Sequence, residues 1–175
     1  IMKVLNQNQT FSIHLQEPYI DKNVSLPNSE KISNKGICLP SSPDLTSDQI
    51  NYICEKVKKA YLETFQDKNN GLINDGQDTS HKSQHANMFA LTFGLIPEKD
   101  IENVVTYVAQ KNMSCSVYGS QILLEGLFDY GGADHAIGLM AAKTERSWYN
   151  MIRYGSTITM EAWDKRYKPN LDLNH

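Results

Sequence analysis

The chain has 175 residues, a net charge of −3 and a sequence pI of about 5.9, so nothing electrostatic favours nucleic acid or an anionic membrane surface as a partner. With 40% hydrophobic residues it has the composition of a globular domain with one sizeable core, and no stretch reaches the ~20 consecutive apolar residues of a membrane span. Cys38, Cys54 and Cys115 are widely spaced and form no C-x-x-C pair, which speaks against a zinc ribbon or redox motif and reads as three small buried hydrophobes.

Residues 1–45 are rich in Asn, Gln, Ser and Pro. The weak alternation of Thr10–Leu15 predicts at most one short strand in an irregular or disordered segment. A different pattern fills 46–175. Thr46 and Gln49 fit a capping box, Leu45 and Ile50 a hydrophobic staple. Ile50, Ile53, Cys54, Val57, Tyr61 and Phe65 then form a stripe that predicts a helix with one buried face. Residues 66–84, polar and containing Gly71 and Gly76, read as a long loop of the kind that is usually functional or mobile.

Helices are predicted next over 85–93, stopped by Gly94, and from Pro97 onward with Ile101, Val104, Val105 and Val108 inward. Another covers 120–129, with Ile122, Leu123, Leu127 and Phe128 apolar, and ends at Gly131 and Gly132. The next covers 133–143, with Ala136, Ile137 and Met140 inward, and a short one covers 146–154, stopped by Gly155. Ser156–Thr159 has too many β-branched and hydroxyl residues for a good helix and reads as extended chain; 164–175 reads as polar loop. About six helices with mostly short connections predict an all-α fold whose consecutive helices are antiparallel neighbours. A bundle, a solenoid and an α/α toroid all satisfy that pattern, although the lack of a fixed-period repeat disfavours the common solenoids.

His81 and His85 are four residues apart and could hold zinc on one helix, but His81 falls before the helix and no third ligand is near, so no metal site is expected. The segment Gly155-Ser-Thr-Ile-Thr-Met-Glu161-Ala-Trp163-Asp164 carries more chemistry. It sets a carboxylate beside an aromatic, a mixture that sugar sites favour: carboxylates do acid/base work and aromatic faces stack on sugar rings. A nearby Trp163 would also desolvate Glu161 and raise its pKa. Each residue has a plainer reading as well. Most glutamates are solvated, core packing is the commoner role for residues such as Trp148 and Trp163, and His85 fits a hydrogen-bonded core histidine.

Several motifs in one order carry a resemblance. His81-Lys-Ser-Gln-His85-Ala-Asn-Met-Phe-Ala-Leu-Thr-Phe-Gly-Leu-Ile-Pro97, Ser116-Val-Tyr-Gly-Ser120 with Leu123-Leu-Glu-Gly-Leu127, Arg146-Ser-Trp148-Tyr-Asn-Met-Ile-Arg153, the segment Gly155–Asp164, and Lys168-Pro169-Asn170 with Asn174-His175 are similar to segments of bacterial α-L-rhamnosidases of glycoside hydrolase family 78. The resemblance covers about Val57–His175. It implies part of an (α/α)6 toroid, its C-terminal half. It also implies hydrolysis of terminal α-L-rhamnose with inversion, by one carboxylic acid and one carboxylate across the bond, with no cofactor or metal. On this resemblance Glu161 is the general base, Trp148 an aromatic wall of the rhamnose pocket, and His175 a histidine at the sugar. Trp163 stands in the base's own motif, and His85 lies behind the pocket as support. A rhamnose-containing glycan or glycoside is the implied partner, and a periplasmic or extracellular setting the implied compartment.

The family's general acid lies in an acidic, arginine-containing motif N-terminal to the matching region, and residues 1–56 contain none. Asp75, Asp78 and Glu145 are stand-ins without motif support, and Leu173 stands where relatives often carry Trp. The chain therefore reads as the base-bearing part of a rhamnosidase. The rival readings are a non-catalytic remnant that binds sugar or serves as an interaction module, and another α/α-toroid carbohydrate enzyme. Half a toroid would leave apolar faces uncovered, so self-association is expected.

Overall fold

The computed structural model describes residues 20, 25–35, 42–164 and 166. Among them the fold is all-α. Seven helices occur: α1 (Pro27–Lys35), α2 (Ser47–Phe65), α3 (Gln84–Thr92), α4 (Ile101–Gln110), α5 (Val117–Asp129), α6 (Ala133–Met140) and α7 (Trp148–Arg153). A 3-10 turn, Glu98–Asp100, leads into α4, and the only β pairing among the described residues is an isolated bridge between Gln66 and Ile73. Two compact units divide between Val57 and Lys58, a division that α2 runs through. The strand expected at Thr10–Leu15 lies outside the described residues. Helix α1 falls in the segment expected to be irregular; Pro27 at its first position and Glu30 in its first turn are its start signals.

The capping box of α2 forms as expected. The Thr46 N–H donates to Gln49 Oε1 at 2.9 Å, and the Gln49 N–H to Thr46 Oγ1 at 3.3 Å. The continuous buried face does not form: no residue of α2 is buried, Ile50 is 47% exposed, and only Tyr61, Leu62 and Phe65 near its end pack on the core. Periodicity fixes which side chains share a face, but burial needs a neighbour to cover it. Cys115 is buried, as expected of a small hydrophobe, whereas Cys54 is exposed; Cys38 lies outside the described residues.

The long connection after α2 is tied to the core. Ile73 is 1% exposed; its N–H donates to Asn87 Oδ1 at 2.9 Å and its carbonyl accepts from Asn87 Nδ2 at 3.0 Å. Asn87, fully buried on α3, thus serves as a strand partner for one residue of loop. The same side chain also donates to the carbonyl of Ser83, the N-cap of α3.

Helices α3, α4 and α5 build the core around Met88, Leu91, Val104, Val108, Leu123 and Leu127. Gln84, at the start of α3, donates to the carbonyls of Val108 and Asn112 at the end of α4, so these neighbours are antiparallel. Between α3 and α5 the order is parallel. Met88 faces Gly119, Leu91 and Thr92 face Gly126, and Thr92 Oγ1 donates to the Ile122 carbonyl at 2.8 Å. Gly126 permits this approach, because a Cβ there would lie 2.4 Å from Thr92 Oγ1. Neighbours antiparallel and alternate helices parallel is the layout of helical hairpins set side by side, a sector of an α/α toroid.

Other ends and faces differ from expectation as well, the last helix beginning at Trp148 rather than at 146. Helix α5 begins at Val117, one turn early, because Ser116 Oγ accepts the Gly119 N–H as its cap. Helix α6 stops at Met140 and turns Ala136 and Leu139 inward, leaving Ile137 and Met140 more than half exposed. Ser156–Thr159, expected to be extended, is bent at Thr157 and Ile158, where Ser156 Oγ donates to the Ile158 carbonyl at 2.6 Å.

Candidate active site

Two consecutive pieces of chain build the site. The first is the start of α7. Ser147, fully buried, caps it by accepting the Asn150 N–H at 3.2 Å, and its own hydroxyl donates to the Thr144 carbonyl at 2.5 Å. That cap fixes Trp148 as the first helical residue. The second piece follows the end of α7. The Gly155 N–H bonds Ile152 O at 2.9 Å and the Ser156 N–H bonds Met151 O at 3.1 Å, the double bond of a Schellman cap, which needs the φ of +84° that Gly155 adopts. The chain turns back on itself here, and Met160 and Trp163 enter the core, each 5% exposed.

Trp163 is held on two sides. Its indole N–H donates to the Cys115 carbonyl at 2.8 Å, and its ring meets that of Trp148 edge to face, centroids 5.1 Å apart. Glu161, two residues earlier, is half-buried and lines a cavity of about 320 Å³ together with Trp163, Ser116, Glu145, Arg146 and Asp164. The lining of this cavity carries both signs of charge. Asp164 is paired with Arg166 at 2.5 Å, and the Arg146 guanidinium is turned onto the carbonyls of Met113, Ser114 and Cys115. A half-buried carboxylate in such a cavity can take a proton from a water molecule held beside it. A larger cavity, about 740 Å³, shares Glu145 and Arg146 as walls and reaches Asp134 and His135 on α6.

The residues singled out in the sequence separate here. Glu161 and Trp163 share one cavity; Trp148 does not line it and is joined to it only through its contact with Trp163. At 5% exposure Trp163 lends the cavity little surface; most of its contacts are with the protein. His85 is exposed on the first turn of α3, so it is not a core histidine, and it does not line this cavity. His175, Leu173 and the 168–170 segment lie outside the described residues. His81 does precede α3, and its partner is not His85: Nδ1 lies 2.5 Å from Asp75 Oδ2, while Asp75 Oδ1 accepts the Ser83 N–H at 2.9 Å. Burial pushes the Asp75 carboxyl up, yet the bonds from Ser83 and His81 outweigh it and hold the group below its ordinary range. Of the three stand-in acids only Glu145 lines the cavity of Glu161. Sequence reasoning missed Arg146, which passes there for an ordinary helix start; only its position next to Ser147-Trp148 hints at more.

Comparison with known proteins fits this picture. The model of the bacterial alpha-L-rhamnosidase 6 hairpin glycosidase domain matches residues 44–175, which is most of the chain. A second model, of the DegT/DnrJ/EryC1/StrS aminotransferase family, matches residues 5–58, less than a third of it. An α-L-rhamnosidase of Formosa agariphila is 30% identical over 105 residues, 54% of this chain and 11% of that protein. One of Alteromonas sp. (strain LOR) is 28% identical over 112 residues, 61% of this chain and 12% of that protein. The chain thus spans about a tenth of the length of these relatives. Two solved structures share the fold over 68% of the chain. The α-L-rhamnosidase from Dictyoglumus thermophilum has a TM-score of 0.56 at 22% identity, with 14% of it covered. The Streptomyces avermitilis α-L-rhamnosidase complexed with L-rhamnose has a TM-score of 0.54 at 26% identity, with 11% covered. With most of its length matched by one family model, and with the hairpin packing that family's name describes, this chain belongs to the bacterial α-L-rhamnosidase six-hairpin glycosidases.

Proposed function

We propose that this chain supplies the general base, Glu161, to an inverting hydrolysis of terminal α-L-rhamnose. One observation carries the reading: Glu161 lines a cavity with the buried Trp163, whose indole is held by the Cys115 carbonyl on one side and by the half-buried Trp148 on another. The L-rhamnose bound to the Streptomyces avermitilis relative supports the choice of sugar. In such a reaction the carboxylate orients a water on the face of the ring opposite the leaving group, deprotonates it as it attacks the anomeric carbon, and a second carboxylic acid protonates the departing oxygen. The activity proposed belongs to the whole rhamnosidase, of which this chain matches about a tenth in the curated relatives.

The test is a titration of the chain with L-rhamnose, followed by tryptophan emission, and an assay on an aryl α-L-rhamnoside. The expected outcome is saturable L-rhamnose binding that discriminates against other hexoses, with little turnover, since misplaced general-acid assistance forfeits about 10²–10⁴-fold. A chain indifferent to L-rhamnose would overturn the sugar reading. Robust turnover that survives Glu161→Gln would overturn the base assignment, and turnover lost in Glu145→Gln would mark Glu145 as the acid.

A further inference from the structure

We propose that Arg146 is a positioning residue for the Glu161–Trp163 segment, acting through the turn that joins α4 to α5. The inference takes its functional meaning from Glu161 as base, but its geometry is independent of that reading. Helix α4 ends with Lys111 as its cap, and Asn112 then adopts φ 50°, the left-handed turn that asparagine tolerates. The carbonyls of Met113, Ser114 and Cys115 follow. They come after α4 and before the Ser116 cap of α5, so neither helix ladder offers them a donor. Met113 and Cys115 are buried, so carbonyls there left without donors would be costly.

One guanidinium answers all three. Arg146 Nε donates to Met113 O at 2.6 Å, and Nη2 donates to Cys115 O at 2.8 Å and Ser114 O at 3.3 Å. A planar fork of fixed donors can span successive carbonyls in this way, and the single ammonium of a lysine cannot. The Cys115 carbonyl takes a second donor, the Trp163 indole N–H at 2.8 Å. A carbonyl oxygen has two lone pairs, and here both are used, so the direction of each donor constrains the other.

The loop closes through the chain itself. Arg146 immediately precedes the Ser147 cap and Trp148, and the Trp148 ring packs against Trp163. Arg146 therefore holds the turn, the turn holds Trp163, and Trp163 is two residues from Glu161. A carboxylate that must meet a water and an anomeric carbon is sensitive to displacements of about 1 Å. A merely structural Arg146 would lower the stability of the whole unit when removed. A positioning Arg146 loosens Trp163 while the helices stay intact.

The experiment uses the ¹⁵N-labelled 175-residue chain. It has two tryptophans, so two indole N–H signals, which Trp148→Phe assigns. Hydrogen exchange of the Trp163 indole is compared in wild type, Arg146→Met and Arg146→Lys, with helix content followed by circular dichroism. The expected result is exchange about tenfold faster in Arg146→Met, the scale of one lost charge-assisted hydrogen bond. Helix content and the exchange of α3 and α5 amides stay unchanged, and Arg146→Lys falls between. Unchanged Trp163 exchange in a folded Arg146→Met would overturn the proposal. If Arg146→Met does not fold, the Lys variant decides: exchange equal to wild type overturns the fork argument. L-rhamnose titrations of the same proteins separate the two readings. Faster exchange with wild-type affinity overturns positioning. A wild type that ignores L-rhamnose sinks the rhamnose reading and leaves indole exchange to decide the anchor.

Discussion

Asn87 and Cys115 illustrate how much single residues decide in this chain. Asn87 exchanges two hydrogen bonds with Ile73 inside the core. Asn87→Ala strands a buried N–H and carbonyl, so a loss of about 1–3 kcal/mol is expected in urea denaturation. Faster proteolysis within 66–83 at neutral pH should accompany it, because that connection loses its internal anchor. The cysteines predict a simpler contrast. Burial pushes the Cys115 thiol up, and its side chain is out of reach of solvent, whereas Cys54 is exposed. In the native protein a thiol reagent should label Cys54 and spare Cys115, as read by peptide mass mapping; early labelling of Cys115 would contradict its burial.

The helices and the 66–83 connection respond to different variables. Helices α3 and α5 meet at Gly126, where a Cβ would fall 2.4 Å from Thr92 Oγ1. Gly126→Ala is a small change that favours helix in isolation, yet here it should cost about 1–3 kcal/mol by forcing the pair apart. A melting temperature equal to or above wild type would show that the pair can slide. The connection depends on pH. Asp67 is held down by the Asn69 N–H and by Lys82, and Asp75 by Ser83 and His81 against the opposing effect of burial. Both carboxyls sit below their ordinary value of 3.8, so their contribution is present above that value and is lost as pH falls through the depressed values. Amide exchange across 67–83, corrected for its intrinsic pH dependence, should show no loss of protection from neutral pH to about 5 and a loss below about 4.

At the level of the whole molecule, exposed apolar side chains remain on several helices, among them Phe93, Tyr118, Ile137, Met140 and Ile152. Surfaces of this kind promote association. Sedimentation velocity should therefore reveal species larger than 19.8 kDa that grow with concentration; a clean monomer at all concentrations would argue that these side chains are too dispersed to act together. Among the described residues no helix is long and apolar enough to cross a membrane.

Local chemistry makes most of the helices legible in the amino-acid sequence. The Thr46–Gln49 box, the Ser147 cap and the stops at Gly94, Gly131 and Gly155 involve partners within five residues of one another, so their signals survive in sequence. Ordered motifs likewise point to the family and single out Glu161, Trp148 and Trp163, although no motif says how close these side chains lie. Burial and long-range hydrogen bonds are another matter. The stripe of α2 and the face of α6 depend on which neighbour arrives to cover them, and α6 turns Leu139 inward where Ile137 and Met140 were expected. His85 lies on a helix whose other faces are buried, and its own is exposed. Arg146 meets its carbonyls 31–33 residues away, and Trp163 its own 48 residues away. No periodicity encodes such pairings. They arise when packed helices bring unsatisfied carbonyls and spare donors to the same place, and only the tertiary structure decides which donor meets which acceptor.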